Sequence, residues 1–287
     1  NVIEEKVNNE FSIFSLFRDS AKTMSKTLSM LNLIEKCTDA SFEYFFYEND
    51  SKDNTLSILE NWSKNKIAKI KSENLNAEKF GSTLHQERMI HMSKIRNKML
   101  NLGINSNSDF SVILDSDVTF YPEIINDFLN FKDLNFSMLT PNIRQNVPCK
   151  MGSGCKTSYY DSSILFDTNG LNCMTWSNNP FLEDEDREKF ENLEPIEVSR
   201  AFGGFALLKS KHLFQCNWDS KGESEHFSLC DKLIKFGKIY LIPSIQPSVH
   251  VSKQHWEHEN LIVERQNKIL STPWNRFLLK TGNTNLV

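Results

Sequence analysis

Two aspartates one residue apart, Asp115 and Asp117, are the residues of this chain best suited to metal chemistry. They follow the apolar run VIL at residues 112–114, which is typical of a buried strand. Two carboxylates this close repel each other, and a divalent cation removes that conflict. Mg²⁺ or Mn²⁺ is usually held by one or two carboxylates together with substrate phosphates. The triplet therefore predicts a cation site, with a solvated turn as the alternative because Asp-x-Asp often occurs by chance.

Other polar residues fall close to predicted strand ends. Glu48 and Asp50, in the stretch FYENDSKDNT, come where a predicted strand ends, and carboxylates there can accept hydrogen bonds from a nucleobase edge or a ribose. Arg96 lies on the helix before the strand that ends in Asp115-Ser116-Asp117, the DSD triplet, and is available for a pyrophosphate. Alternatively, Arg96 is an ordinary solvated helix residue. Because ligands collect at the carboxyl ends of strands in open parallel sheets, these residues predict a nucleotide site there.

Composition limits the possible functions. The 287 residues are 39% apolar and 24% charged, enough for one large α/β domain or two small ones. A net charge of −4 argues against general nucleic-acid binding. No apolar run is long enough to cross a bilayer, so we expect no membrane partner within this segment. The first residue is Asn rather than Met, which fits removal of an upstream segment.

The six cysteines have no Cys-x-x-Cys pair, which argues against a zinc ribbon. Only Cys149, Cys155 and Cys173 lie close enough in one loop-like region to be plausible disulfide partners. Whether they pair is open from the sequence.

Strands and helices alternate through the first half of the chain. This alternation, with short connections, predicts an α/β fold whose mainly parallel sheet is covered by helices on both faces. The predicted strands are 11–17, 42–48, 67–72 and 112–115, and the predicted helices are 19–37, 54–64, 85–102 and 121–131, the last with Pro122 in its first turn.

The regular alternation of predicted strands and helices does not continue in the second half of the chain. Residues 142–200 are predicted to be loop-rich, with the acidic run LEDEDREKFENLE as a solvated surface. A strand with a glycine bend, or a strand pair, is expected over 201–210. Further predictions are a helix over 225–236, a strand over 238–244 and a polar tail, partly helical over 256–270. We expect a single domain over 1–287, with a nucleotide-binding half at 10–140, an acceptor and donor-sugar half at 141–252 and a tail at 253–287.

Several stretches together resemble the GT-A glycosyltransferases, which use nucleotide sugars and have a Rossmann-like domain. The matching stretches are FYENDSKDNT, the RNKML helix, VILDSDVTFYP, SEHFSLCDKL and PSVH. The resemblance covers roughly residues 10–250 and implies a mixed, mainly parallel sheet flanked by helices. YYDSSILFD also resembles the capsule- and mannan-type transferases and their relatives in large DNA viruses.

This resemblance implies a donor site. Asp117 would contact the metal, Asp115 the ribose or a metal-bound water, and Arg18 and Asp50 would lie near the base and ribose. The glycines of GGFALL would let the backbone approach the donor sugar and acceptor. The implied donor-site residues are Arg18, Glu48, Asp50, Arg96, Asp115, Ser116, Asp117, Gly203 and Gly204.

The resemblance also implies a catalytic base at the start of a helix. Glu225 would take the proton from the acceptor hydroxyl. His226 is the next candidate, since it stands at the position after Glu225 where the family often has Asp and this chain does not. Glu223 is the third candidate. Alternatively, Glu225 only complements the helix dipole. His250 in PSVH would complete a mixed nitrogen and oxygen metal site, which suits Mn²⁺ better than Mg²⁺, with strand-end packing as its alternative.

The function expected from this resemblance is metal-dependent transfer of a sugar from a nucleoside-diphosphate sugar to a hydroxyl of a glycan or glycoprotein. UDP is the default nucleotide, GDP is open, and the configuration inverts if Glu225 is the base, while retention stays open. Nucleotidyl transfer and a non-catalytic glycan-binding module are the alternatives. The former normally has a Gly-rich basic loop after its first strand, which FRDSAKTMSK is not. The chain fits either a cytoplasmic, virus-type enzyme or an ER or Golgi luminal one whose anchor was removed.

Overall fold

The structure is a computed structural model, and its elements alternate between strand and helix as far as residue 115. It describes residues 9–80, 86–147, 156–161, 163–173, 177–221, 223–250 and 267–281. The strands are β1 (Asn9–Phe17), β2 (Ala40–Asn49), β3 (Ala68–Glu73), β4 (Phe110–Asp115), β5 (Val118–Thr119), β6 (Phe136–Pro141), β7 (Arg144–Val147), β8 (Lys156–Tyr159), β9 (Phe166–Asp167), β10 (Ile196–Arg200), β11 (Phe205–Lys209), β12 (Lys238–Ile242) and β13 (Ser248–His250). The helices are α1 (Met24–Cys37), α2 (Thr55–Ser63), α3 (Gln86–Gly103), α4 (Ile124–Leu129), α5 (Asp184–Glu191), α6 (Ser210–Leu213), α7 (Glu225–Leu233) and α8 (Pro273–Lys280).

The strands form two sheets. A nine-stranded sheet has the order β3-β2-β1-β4-β11-β6-β12-β10-β9, and a four-stranded sheet has the order β5-β13-β7-β8. The chain divides into two compact units. The first holds Asn1–Ser116, Tyr121–Leu134 and Leu207–Glu225, and the second holds Asp117–Phe120, Asn135–Ala206 and His226–Val287.

In the first unit, parallel pairing aligns the strand ends. β1 pairs with β2 in a register that ends at Phe17 opposite Glu48. On its other side β1 pairs with β4, and Leu16 lies opposite Asp115. Glu48 and Asp115 therefore reach the same edge of the sheet, as the sequence predicted for residues that follow parallel strands.

Phenylalanines build the core of this unit. The Phe11 ring stacks on Phe42 at 5.3 Å between centroids, and Phe14 stacks on Phe45 at 5.0 Å. At the end of α3, a Cβ on Gly103 would lie 2.6 Å from the Phe45 ring and 2.8 Å from Phe14, so only glycine lets the helix pack this closely. Four of the 21 phenylalanines of the chain make these two stacks.

The second unit makes the fold mixed rather than purely parallel. β6 and β12 are parallel, whereas β10 runs antiparallel to β12 and β9 antiparallel to β10. The α/β class with a large mixed sheet flanked by helices is confirmed.

Three predicted elements differ from the structure. The predicted helix over 19–37 begins only at Met24, because residues 18–23 form a loop hydrogen-bonded to the turn after β2. The predicted helix over 121–131 is reduced to Ile124–Leu129, so Pro122 precedes it instead of lying in its first turn. The predicted loop over 142–200 contains β7–β10 and α5.

The acidic run that was predicted to be a solvated surface forms α5. Asp184, Glu185 and Asp186 lie in its first turn, where carboxylates complement the helix dipole. Asp184 also pairs with Arg276 of α8. Residues 251–266, most of the predicted helical tail, lie outside the described residues, and so do Cys149 and Cys155. Across the part of the chain that is described, no helix combines the length and apolarity needed to cross a bilayer.

Candidate active site

A cavity of about 750 Å³ opens where β1, β2 and β3 end in the first unit. Its size lies within the usual range for small-molecule sites, and its place at the strand ends is where open α/β sheets bind ligands. It is lined by Arg18, Asp19, Glu48, Asp50, Ser51, Lys52, Asp53, Leu56, Ser72, Glu73, Asn74, Asn76, Ala77, Glu78 and Lys79.

The loops after β1 and β2 are cross-linked by hydrogen bonds at the rim of this cavity. The Asp19 N–H donates to Ser51 Oγ at 2.9 Å, and its carboxylate accepts the Lys52 N–H at 2.7 Å. The Ala21 N–H donates to Asp53 at 3.0 Å. Each loop thus satisfies polar groups of the other, which fixes the rim before any ligand binds.

Unusual backbone conformations concentrate at the same place. Asp19, Asp50 and Asn76 have φ angles of +47°, +56° and +51°, in the left-handed region that few non-glycine residues adopt. All three line the cavity. Left-handed residues outside glycine cluster at functional sites, so this concentration supports a binding role for the cavity.

Three predicted donor-site residues line the cavity and are bonded to the chain's own loops. Glu48 is buried and accepts the Ser51 N–H at 2.8 Å. The Asp50 carboxylate accepts the N–H of Leu75 at 2.7 Å. The Arg18 guanidinium donates to the backbone oxygen of Ala77 at 2.6 Å. All three lie beside the cavity, and their contact with a nucleotide stays a prediction.

A buried charged cluster lies in the same unit. We call Arg96, Asp115 and Glu225 the Arg96 cluster. Arg96 Nε donates to Glu225 at 3.1 Å and Nη2 donates to Asp115 at 3.2 Å. The side chains of Arg96 and Glu225 are only 4% and 6% exposed, whereas that of Asp115 is 33% exposed.

Two opposing effects act on the Arg96 guanidinium. Burial disfavours its charged form, but the neighbouring carboxylates of Asp115 and Glu225 outweigh burial and raise the pKa of Arg96 above its usual value. Arg96 thus stays charged and links two predicted site residues. The sequence suggests Arg96 for a pyrophosphate, and no local pattern indicates its pairing with Glu225, which is 129 residues away along the chain.

The DSD triplet forms the turn between β4 and β5. The Ser116 carbonyl accepts a hydrogen bond from Thr27 Oγ1 at 3.1 Å, and Ser116 Oγ lies 3.5 Å from Ser20 Oγ. Asp117 is exposed, whereas Asp115 is partly buried. The backbone of the turn is therefore held by the loop after β1 and by α1.

The types of metal-ligating side chain present show whether a divalent cation fits this turn. Among the described residues, no group of three or more His, Cys, Asp or Glu side chains could hold a metal. Two carboxylates suit Mg²⁺ or Mn²⁺ when substrate phosphates supply the other oxygens. The carboxylates of Asp115 and Asp117 are of the type that such a cation binds, and the cation site stays a prediction. His250 ends β13, with its backbone paired to Asn146, and its side chain lies outside the described part.

Gly203 and Gly204 form a left-handed turn before β11, with φ angles of +72° and +64°. The Gly203 N–H donates to the Asp161 carboxylate at 3.0 Å. A Cβ on Gly203 would come within 3.3 Å of Ile143, so both the backbone angle and the space favour glycine. Asp161, in the stretch YYDSSILFD, is a positioning residue that the sequence analysis did not single out.

The candidate bases have different surroundings. Glu225 is buried and paired with Arg96. His226 is buried too, and its ring stacks on Phe202 at 3.8 Å between centroids. Glu223 is exposed. A general base needs a fixed position, which Glu225 has through a charged hydrogen bond.

Comparison with known proteins gives a family and a fold. The sequence profile of the family described as Cryptococcal mannosyltransferase 1 matches residues 12–240. No curated protein sequence matches the chain.

Three solved structures illustrate the fold. Staphylococcus aureus TarS with UDP-GlcNAc is 15% identical, with a TM-score of 0.50 over 85% of this chain and 59% of its own. GalNAc-T7 with UDP, GalNAc and Mn²⁺ is 15% identical, with a TM-score of 0.50 over 88% of this chain and 46% of its own. The mannosyltransferase PcManGT from Pyrobaculum calidifontis, with GDP-Man and Mn²⁺, is 12% identical, with a TM-score of 0.51 over 92% of this chain and 63% of its own.

This chain spans less than two thirds of each of these three proteins, and at such low identity the likeness shows the fold alone. The profile match covers most of the chain, and the strand-end cavity lies where that fold binds ligands. The chain therefore has the GT-A fold and belongs to the Cryptococcal mannosyltransferase 1 family of glycosyltransferases.

Proposed function

We propose that this protein transfers a sugar from a nucleoside-diphosphate sugar to a hydroxyl group of a glycan or glycoprotein. The observation that carries the proposal is the 750 Å³ polar cavity at the ends of β1–β3, in the unit that also holds the Arg96 cluster. In this assignment the cavity takes the nucleoside. Asp115, at the end of the neighbouring strand β4, faces the diphosphate.

Charge supports a cation beside the diphosphate. Six carboxylates and three cationic side chains line the cavity, so a diphosphate would approach a net negative surface. Asp115 and Asp117 would hold Mn²⁺ or Mg²⁺, which when bound stabilises charge on the departing diphosphate. His250 stays a predicted third ligand.

Glu225 is the proposed base. The acceptor oxygen attacks the anomeric carbon while the bond from that carbon to the diphosphate breaks, and the hydroxyl proton passes to the Glu225 carboxylate. One in-line displacement of this kind inverts the anomeric configuration. Arg96 holds Glu225 in place, as their 3.1 Å hydrogen bond supports. His226 is the second candidate for the base.

The family name makes mannose the first sugar to test. GDP-mannose is present in the Pyrobaculum structure, whereas UDP, the default from the sequence resemblance, is present in the GalNAc-T7 structure. Both nucleotides therefore belong in the first experiment, with CDP as a third.

Thermal unfolding with each nucleotide, with and without Mn²⁺, tests the proposal. At 100 times its dissociation constant, a ligand stabilises the folded state by about 2.7 kcal/mol. For a chain of this size we expect the melting temperature to rise by about 5 °C with one nucleotide plus Mn²⁺. Asp117→Asn should remove the Mn²⁺-dependent part, whereas Asp133→Asn, an exposed aspartate after α4, should keep it.

Product analysis then separates the enzyme classes. Incubation with GDP-mannose or a UDP-sugar should release the nucleoside diphosphate, whereas release of pyrophosphate from a nucleoside triphosphate would indicate nucleotidyl transfer. Absence of metal-dependent stabilisation by all three nucleotides would contradict the proposal and favour a glycan-binding module.

A further inference from the structure

One wall of the cavity is a six-residue segment after β3, residues 74–79, which we call the wall segment. The Asp50 carboxylate fastens its first half. It accepts the backbone N–H of Leu75 at 2.7 Å, of Asn76 at 2.8 Å and of Ala77 at 3.3 Å. Successive N–H groups that converge on one anion form a nest, so Asp50 fills an anion site made by the wall segment itself.

Cationic side chains fasten the second half of the wall segment. Arg18 Nη2 donates to the backbone oxygen of Ala77 at 2.6 Å, and Nη1 donates to that of Glu78 at 3.2 Å. Lys79 pairs with Asp19. The wall segment is thus attached to the ends of both β1 and β2.

The ionisation state of the Asp50 carboxyl suits its role as acceptor for these N–H groups. Burial acts to raise the pKa of its carboxyl, but hydrogen bonds from the Asn49 amide and the wall-segment backbone outweigh burial and lower that pKa. The carboxylate therefore stays ionised at neutral pH. Asp50 and Asn76 both have positive φ angles, +56° and +51°, so the backbone bends where carboxylate and nest meet.

The wall segment offers the cavity two amide side chains. Asn74 and Asn76 are exposed and line the cavity. An amide carries a donor and an acceptor side by side, which is the pattern that pairs with the edge of a nucleobase. Arg18 and Asp50 direct their polar atoms to the backbone of the wall segment. Asn74 Oδ1 also accepts the backbone N–H of Asn76 at 3.2 Å, which leaves its second lone pair and its amide N–H groups for a base.

We propose that Arg18 and Asp50 are positioning residues that hold the wall segment, and that Asn74 and Asn76 select the nucleobase. The selection half rests on the proposed function, because it requires a nucleotide in the cavity. These roles differ from those that the sequence resemblance implies, which place Arg18 and Asp50 against the base and ribose themselves.

Hydrogen exchange of the ligand-free protein tests the positioning half. Asp50→Asn removes the charge that three N–H groups share, so the amides of residues 75–77 should exchange about tenfold faster or more. Asp53→Asn is the matched control, because Asp53 lines the same cavity but accepts from Ala21 and Thr55. Unchanged exchange at 75–77 in Asp50→Asn would overturn the positioning role.

Calorimetric titration with GDP, UDP and CDP in the presence of Mn²⁺ tests the selection half. Asn74→Ala and Asn76→Gly should each weaken the preferred nucleotide about tenfold, the effect of one lost hydrogen bond pair, and narrow the preference among bases. Asn76→Gly keeps the positive φ. Pyrophosphate with Mn²⁺, which has no base, should bind both variants as it binds the wild type.

The outcomes separate this inference from the proposed function. Wild-type nucleotide affinity and base preference in both asparagine variants would overturn the selection half. If the wild type binds no nucleotide, the proposed function and the selection half both fail, while hydrogen exchange still decides whether Asp50 positions the wall segment.

Discussion

The Arg96 cluster and the cavity rim both collect carboxylates, yet they satisfy them in different ways. In the Arg96 cluster, one guanidinium that is 4% exposed serves two carboxylates. At the rim, Asp19 and Asp50 are half-buried and Asp53 is exposed, and their oxygens accept backbone N–H groups of neighbouring loops.

The two regions are therefore vulnerable in different ways. Arg96 is the one cation of the Arg96 cluster, and a buried carboxylate that loses its cation is costly to leave in place, so the cluster depends above all on Arg96. The rim distributes its hydrogen bonds over several loops, and water can replace a lost partner. We therefore expect large effects on stability and rate from the cluster, and local effects on loop order and ligand binding from the rim.

The largest effect is expected for Arg96→Met. It leaves Glu225 and Asp115 without their shared cation and should lower the free energy of unfolding by about 3–5 kcal/mol. Lys238→Met, which breaks a half-exposed pair with Glu197, should cost about 1 kcal/mol or less. Urea unfolding of both variants measures the contrast, and equal losses would show that burial does not set the cost.

Glu225→Gln should separate rate from binding. The amide oxygen can still accept from Arg96 Nε, so the fold is kept, but glutamine cannot take the acceptor proton. Sugar transfer should fall by about 10²–10⁴-fold, with nucleotide affinity unchanged. Glu223→Gln, at an exposed position two residues earlier, should retain the wild-type rate. Loss of activity in Glu223→Gln alone would move the base to that residue.

Acid should loosen the rim through Asp50. The pKa of Asp50 is lowered in the folded protein, so its contribution is present above the unfolded-state value of about 3.9 and is lost as pH falls through the lower folded value. Amide protection of residues 75–77, corrected for intrinsic exchange, should hold at pH 5–7 and drop below about pH 4. In Asp50→Asn this drop should be absent. Equal pH dependence in both proteins would assign it to another group.

The smallest effect concerns the strained backbone of the rim. Asn76→Ala should be about 1 kcal/mol less stable than Asn76→Gly, because a Cβ disfavours the φ of +51°. At Ser57, an exposed position inside α2, the order should reverse, since glycine is about 1 kcal/mol worse than alanine in a helix. Chemical denaturation of the four variants measures both differences.

Sequence patterns predicted the first half of the fold well. Apolar runs such as FSIFSLF and the helical spacing through Met99 located β1–β4 and α1–α3, although α1 begins five residues later than expected. Short strands were missed in the second half: β9 has two residues and pairs with β10, which lies about thirty residues further along the chain. Helix α5 was missed because its sequence is almost entirely polar, and its support comes from first-turn acids and an ion pair with Arg276.

The candidate site was partly predictable. Parallel strand ends bring Glu48 and Asp115 to one edge, so local patterns suffice for them. The pairing of Arg96 with Glu225 depends on tertiary structure, and no local signal marks it. The wall segment was not predicted, because it is held through its own backbone N–H groups, which have no signature in the sequence. The asparagine-rich stretch ENLNAEK after a strand was nevertheless a usable signal.

Glu225 is synthesised long after Arg96 and Asp115, which has a consequence for folding during translation. The first compact unit consists mainly of residues up to 134 but is completed by Leu207–Glu225. A ribosome that has made the first 134 residues has supplied Arg96 and Asp115 but not their third partner. Chains usually begin to fold from the N-terminus during translation, so the nascent unit carries the Arg96–Asp115 pair without Glu225 until residue 225 emerges. Ribosome-stalled fragments ending before and after that residue should differ sharply in protease resistance.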